Sequence, residues 1–497
     1  MRFTKITSSA LAIIMVAMLV IPIGINNNEV EVHTPRSSFS LSEEITDVPY
    51  VWQEVNGFCF PSALSMVLQS MGMDLSLYDI LAASGAGFSM VSLSINEAIR
   101  FLPGVMVRQL PWFEFFTDLY GLEMQFYLDS STDFGFYALQ ILENWQSSAF
   151  DYSELVEGPF DVMRESIDSG YPLTISADTY YLPVEDWDLI RDNFGPMVPG
   201  GVGHAIVIVG YNETSQQVRV HDPGVGLGLD NHGFPDDGRW NYTMSYAQLF
   251  QAWQSAGFVT FRLSNGTGKV ADFEDRLATY IWNRMVGNRT SYFEEYENFF
   301  YFGTGADAFR GMGLDMRLEV IRDYAQYYME VDKADALRSL GQNLEMMITM
   351  QYHAFKGSLD SLPHLLPTID LQAFLDEASE ALPHFEALSH NDTVSMSLDI
   401  PNRDTLLYNT FFEMGDNFDA TYDLDGSITA FSNELEEISE HLIAIADAWK
   451  AAGEALSQEL GEPPGLLSGD LTVVIGGGAA LLVIGIVVVI WRRRSRE

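Results

Sequence analysis

The sequence predicts an α+β domain followed by an all-α helical domain and a C-terminal transmembrane helix. Three observations carry that expectation. From about Ser42 to Leu263, helix-like and strand-like segments alternate. From about Ala271 to Leu460, strand signals nearly vanish. Leu471 to Trp491 is then 21 residues without a charge, enough for a helix crossing roughly 30 Å of hydrocarbon.

Each element can be justified in order. Residues 1–25 carry Arg2 and Lys5 ahead of an apolar run from Leu11 to Ile23, the layout of a signal peptide or N-terminal anchor. The first domain is expected over 44–263. Its first helix runs Pro61–Met71, with Leu64, Val67, Leu68 and Met71 at i, i+3, i+4, i+7. "YPLTISADTYYLP" (171–183) begins as a strand, and "HAIVIVGY" (204–211) reads as a fully apolar one. "QVRVHDP" (217–223) alternates as its partner, with "NETSQ" as the hairpin turn. "YTMSYAQLFQAWQSAG" follows as a helix and "FVTFRL" as a last strand. The helical domain, 271–460, shows its clearest stripe at Leu435, Ile438, Leu442, Ile445, Trp449, Ala452 and Leu456. "GEPPGLLSGD" (461–470) is a linker, 471–491 the transmembrane helix and "RRRSRE" (492–497) a basic tail. Basic residues stay on the cytoplasmic side, so the chain between the ends is expected outside the cell. Sequons at Asn212, Asn241, Asn265, Asn288 and Asn391 all lie in that interval.

Composition excludes several partners. The 26 basic and 69 acidic residues give a net charge of −43. That surface repels nucleic acid and anionic headgroups, so neither is an expected ligand, and the membrane is expected to be engaged through the C-terminal helix. Hydrophobic content of 47% and aromatic content of 13% fit a packed globular body, in contrast to a disordered stalk.

The chain has one cysteine, Cys59, and therefore no internal disulfide. In "NGFCFPSALSMVLQSMG" (56–72) that thiol stands at a helix start. Unpaired amides there favour thiolate, and Pro61 suits a first turn that does not need its N–H. A thiolate nucleophile also needs a base, a group orienting that base and donors for the oxyanion. Gln53 lies six residues earlier, where its amide can donate beside the Cys59 N–H. His204 opens the apolar strand after "PGGVG". Asp222 ends the next strand of the same hairpin, near the His204 end of the ladder.

Gln-x5-Cys at a helix start, then Gly-His-Ala with an apolar run, then "VHDP", resembles the papain-like cysteine peptidase fold. More narrowly it resembles the Peptidase_C39-like family, the bacteriocin-processing type. The resemblance covers roughly 44–263. It implies that Gln53 completes the oxyanion hole, Cys59 attacks, His204 is the base and Asp222 orients it. That family usually has Cys-Gly-Pro, and Phe60 here replaces the Gly, which raises the question of a narrowed acyl site. "LAASGAGFSM", "ADTYYLP" and the appended helices also look like the butirosin biosynthesis protein H family, whose activity implies acyl transfer to an amine. The expected activity is peptide or amide hydrolysis through an acyl-Cys59, on peptide or protein substrates near the envelope. The alternatives are that acyl transfer, or a non-catalytic peptide-binding domain.

Other motifs read more simply. His221 points to the opposite sheet face from Asp222. "DLDGS" (423–427) hints at a Ca²⁺ loop but lacks an Asp at Thr421. "LDNHGFPDDG" (229–238) reads as a solvated loop. No H-E-x-x-H, P-loop or G-x-S-x-G occurs, and no metal or cofactor is expected.

Overall fold

The structure, a computed structural model, describes residues 41–461 apart from 96–97, 104–111, 133, 136–151, 156–157, 194–202, 228–232, 265–267, 287, 292–299, 328–331 and 390–404. In chain order the first block contains β1 (Ser42–Glu44), α1 (Cys59–Ser70), α2 (Leu77–Ala83), β2 (Met90–Ile95), β3 (Ala98–Pro103), α3 (Trp112–Tyr120), β4 (Glu123–Leu128) and β5 (Ser153–Glu154). It continues with α4 (Pro159–Asp168), β6 (Leu173–Asp178), α5 (Asp188–Asn193), β7 (Gly203–Asn212), β8 (Gln217–His221), β9 (Asn241–Ser245), α6 (Tyr246–Ser255) and β10 (Thr260–Ser264). The fold is mixed α+β, as expected.

Its main sheet runs β5-β4-β10-β6-β7-β8-β9, with β1 pairing beside β7. Strand β7 explains its own sequence. Ala205, Val207 and Val209 face one core, packed with α1, while Ile206, Ile208 and Tyr211 face another, packed with α6. A strand covered on both faces reads as a continuous apolar run. The turn "NETSQ" returns the chain into β8, pairing Asn212 with Gln217 and Val207 with His221. Helix α6 is fixed at its start by a capping box between Ser245 and Gln248.

The second block holds α7 (Phe273–Val286), β11 (Asn288–Ser291), β12 (Phe300–Thr304), α8 (Ala306–Asp315), α9 (Leu318–Tyr327), α10 (Lys333–Leu365), α11 (Gln372–Ser379), α12 (Leu382–Leu388), α13 (Leu406–Thr421), α14 (Leu424–Thr429) and α15 (Ser432–Glu459). The expectation of an all-α block is corrected by two strands. β12 pairs antiparallel with β2 of the first block, giving a second sheet ordered β11-β12-β2-β3. Such short strands carry little local signal, because β12 depends on a partner about 200 residues away and β11 depends on β12. The blocks also share one core. Val67, Phe88 and Phe116 belong to the same buried cluster as Leu344, Phe355 and Trp449. The α15 stripe from Leu435 to Leu456 lies in that cluster.

Asp423 caps α14, its Oδ1 accepting the Gly426 N–H at 3.0 Å. The "DLDGS" stretch is therefore a helix cap, whose acidic spacing mimics the start of a cation loop. Among the described residues no helix is long and apolar enough to cross a membrane. The expected leader (1–25), the expected membrane helix (471–491) and the tail lie outside the described residues, as do Asn265, Asn391 and, apart from Gly461, the linker.

Candidate active site

Cys59 is the first residue of α1, and nothing in the sequence caps that end. Phe58 occupies the cap position without a side-chain hydrogen bond, and the first turn has no acidic residue. The amides that a Ser or Asp would otherwise satisfy remain available. One of them, the Phe60 N–H, donates to the Cys59 sulfur, as does the Ala205 N–H from β7. The half-buried thiol also hydrogen-bonds the His204 ring.

His204 is set by the start of β7, where it pairs with Ala177 of β6. Its Nε2 lies 2.7 Å from Asp222 Oδ1, which leaves Nδ1 for the thiol. Asp222 follows the last residue of β8, and the antiparallel register brings it level with the opening of β7. The hairpin therefore supplies both partners without any help from distant structure.

Asp222 is fully buried and fully satisfied. Oδ1 accepts the Gly224 N–H at 2.9 Å in addition to His204. Oδ2 accepts Trp187 Nε1–H at 3.0 Å and the Tyr242 hydroxyl at 3.1 Å. Burial pushes its carboxyl up, but the charge and hydrogen bond of His204 and the Trp187 and Gly224 donors outweigh it, and the group stays below its ordinary range. Burial lowers His204, yet Asp222 and Cys59 together raise it to about 10. Burial raises the Cys59 thiol, and the hydrogen bond and charge of His204, with the two backbone donors, bring it below its usual value. Every direction favours one state, a thiolate beside an imidazolium.

Two residues in this arrangement carry no signature in the sequence. Trp187, in the segment before α5, tilts its ring against His204 at 4.8 Å between centroids while holding Asp222. Tyr242, on β9, closes the other side of the carboxylate. Lone aromatics in connecting segments read as core, so only the fold shows where they converge. Gly224 is required for close approach. A Cβ there would lie 2.8 Å from both His204 Cε1 and Trp187 Cζ2.

Gln53 is buried, with its N–H donated to Pro223 O at 3.1 Å, which ties it to the loop just after Asp222. Its amide Nε2 donates one hydrogen to Val55 O at 3.3 Å. The amide has a second hydrogen to give. Phe60 turns away from the acyl site. Its ring packs on Phe261 of β10 at 4.7 Å and joins the cluster of Phe126 and Leu128, so its bulk is absorbed by the sheet. His221 lies outside the site. It is buried edge-on to Trp240 at 4.7 Å, and burial with Arg219 pushes it down to about 4. Of the loop expected to be solvated, 229–232 lie outside the described residues, while Phe234, Asp236 and Asp237 are exposed and the Phe234 ring edge meets Tyr50 and Trp52.

Residues 45–259 match the Peptidase_C39 like family. The C39-like region thus coincides with the span on which the Gln53, Cys59, His204 and Asp222 pattern rests. No curated protein matches the chain. Among solved structures, a candidate C39-like peptidase from Bacillus anthracis aligns with 45% of this chain and 98% of its own, at 14% identity and a TM-score of 0.26. The second block lies beyond the C39-like region.

Proposed function

We propose that the protein is a membrane-tethered, extracytoplasmic cysteine peptidase or amidohydrolase that works through an acyl-Cys59 intermediate. The observation that carries this reading is the connected set Cys59–His204–Asp222, in which the carboxylate holds the imidazole and the imidazole holds the thiol.

The chemistry follows from the protonation state. The Cys59 thiolate attacks the scissile carbonyl carbon, and the carbonyl electrons move onto oxygen. The Cys59 N–H and the free Gln53 amide hydrogen receive that oxyanion. As the tetrahedral species collapses, the His204 imidazolium gives its proton to the departing amine. The neutral ring then takes a proton from water, which attacks the thioester and releases the acid. Asp222 stays ionised throughout and keeps the ring oriented.

The tether is read from 471–491, and the ten-residue linker reaches at most roughly 33–36 Å when extended. Substrates are then proteins or peptides close to the outer surface of the membrane. The test is hydrolysis by residues 41–461, with Cys59→Ala as control. Loss of product in the variant supports the nucleophile, whereas unchanged turnover removes it. Millimolar amine in the assay should leave free acid as the main product. Amide dominating at low amine would instead mark an acyltransferase.

A further inference from the structure

Among the described residues the second block brings no nucleophile or base to Cys59, yet its longest described helix reaches the loop that carries the nucleophile. That loop, Gln53 to Phe58, has two residues in the left-handed region, Glu54 at φ 55° and Gly57 at φ 89°. A non-glycine residue there costs on the order of 1–2 kcal/mol and persists only where its surroundings impose it. Gly57 is held from α10 directly, and Glu54 through Tyr78 of α2, whose ring packs on α10.

Gly57 rests on Met350. A Cβ added to Gly57 would lie 2.0 Å from Met350 Cε, so the methionine methyl fills the space a side chain would need. Met350 and Ala354 share a buried cluster with Val55 and Phe58, and Met346 packs at its edge. Glu54 is held by the Tyr78 hydroxyl, which donates to its carboxylate at 2.9 Å. The Tyr78 ring in turn lies against α10 where Gly357 leaves room, since a Cβ there would be 2.0 Å from Tyr78 Cδ1. Met346, Met350, Ala354 and Gly357 are spaced by four, four and three, and so form one stripe of the helix. Further along, Gln351 donates to Gly87 O at 2.8 Å and His364 Nε2 meets Asp79 Oδ1 at 2.6 Å.

We propose that Met350 is a positioning residue for the oxyanion donors, and that α10 is in this sense part of the active site. The inference rests on the thiol-hydrolase reading above. The loop it supports begins with Gln53 and ends at the residue before Cys59, so its shape sets where the Gln53 amide and the Cys59 N–H point. The thiolate itself is set elsewhere, by His204 and the Ala205 and Phe60 amides. The two functions can therefore be separated.

The experiment uses residues 41–461 and two reagents. Alkylation of Cys59 by iodoacetamide needs only the thiolate. Turnover of p-nitrophenyl acetate needs the thiolate and the oxyanion donors. In Met350→Ala, kcat for the ester should fall at least tenfold, while the alkylation rate and its pH profile stay within twofold of the parent. Met350→Leu, which refills most of the space, should recover most of kcat. Unchanged ester turnover in a folded Met350→Ala overturns the inference. So does an equal loss of alkylation and turnover that follows the loss of thermal stability, which marks a merely structural contact. Absence of Cys59-dependent turnover in the parent protein overturns the hydrolase reading itself, and this inference with it.

Discussion

At the residue scale, the site depends on an ion pair whose two limits are opposite in sign. Acylation needs sulfur without its proton and imidazole with one. At low pH the pair is lost when the thiolate is protonated, below its lowered pKa. At high pH it is lost when His204 gives up its proton, near 10. We predict a bell-shaped kcat/KM profile with an alkaline limb near pH 10. In Asp222→Asn the main cause of the raised imidazole is gone, and that limb should move toward the free histidine value of about 6.5. The rate should also drop at least about a hundredfold. An alkaline limb that does not move would disconnect Asp222 from the ring. Cys59→Ala and His204→Ala should each abolish turnover, and the double variant should be no worse, because residues acting as one unit are not additive. Trp187→Phe keeps a ring over His204 and removes one donor to Asp222. Its cost should be about tenfold in kcat, the size of a single hydrogen bond to a charged group. A loss as large as that of Asp222→Asn would mean that the ring, not the N–H, is what matters.

At the element scale, α10 and α13 approach each other through a reciprocal pair of glycines. Gly341 of α10 faces Phe411, where a Cβ would lie 2.4 Å from the phenylalanine Cβ. Gly415 of α13 faces Arg338 and the Ala334 carbonyl, at 2.9 and 3.0 Å. Adding bulk here overpacks a close helix crossing. Gly341→Val is expected to destabilise the protein by about 1–3 kcal/mol or more, read as a lower midpoint in thermal melting. An unchanged midpoint would show that the crossing yields freely. How much of each element was legible follows from where its stabilisation comes from. The α1 helix, the β7–β8 hairpin and α6 have local patterns of apolar spacing, turn and cap, and the sequence announces Cys59, His204 and Asp222 through them. Strands β11 and β12 do not announce themselves, because β12 is held by β2 across a long stretch of chain and β11 is held by β12. Met350 reads as one more apolar residue in a helix, and its position under Gly57 depends on a tertiary contact. Trp187 and Tyr242 are silent for the same reason.

At the scale of the whole molecule, the blocks are joined by more than a linker. They share a four-stranded sheet and one continuous core. Residues 44–263 alone would expose the edge of β2 and the apolar surface that Leu344, Phe355 and Trp449 cover. Exposed edges and patches of this kind favour aggregation over a stable monomer. We predict that 44–263 expressed alone gives no sharp thermal transition, while 41–461 unfolds in a single cooperative step by calorimetry. Two separate transitions in the longer protein would show that the shared sheet does not couple the blocks.

The distance along the chain between Cys59 and Met350 has a consequence in time. Translation delivers the nucleophile first and its support 291 residues later. At about 5–20 residues per second, that interval is on the order of 15–60 s. During it the β7–β8 hairpin and α1 can form, but the loop at Gly57 has nothing beneath it and β2 has only β3 beside it, its other edge still open. A nascent chain then carries its only thiol on an unsupported turn, and the oxyanion donors come into register only after α10 has emerged. Synthesis order alone delays the onset of catalysis, so a chain truncated before α10 would carry its thiol without being an enzyme.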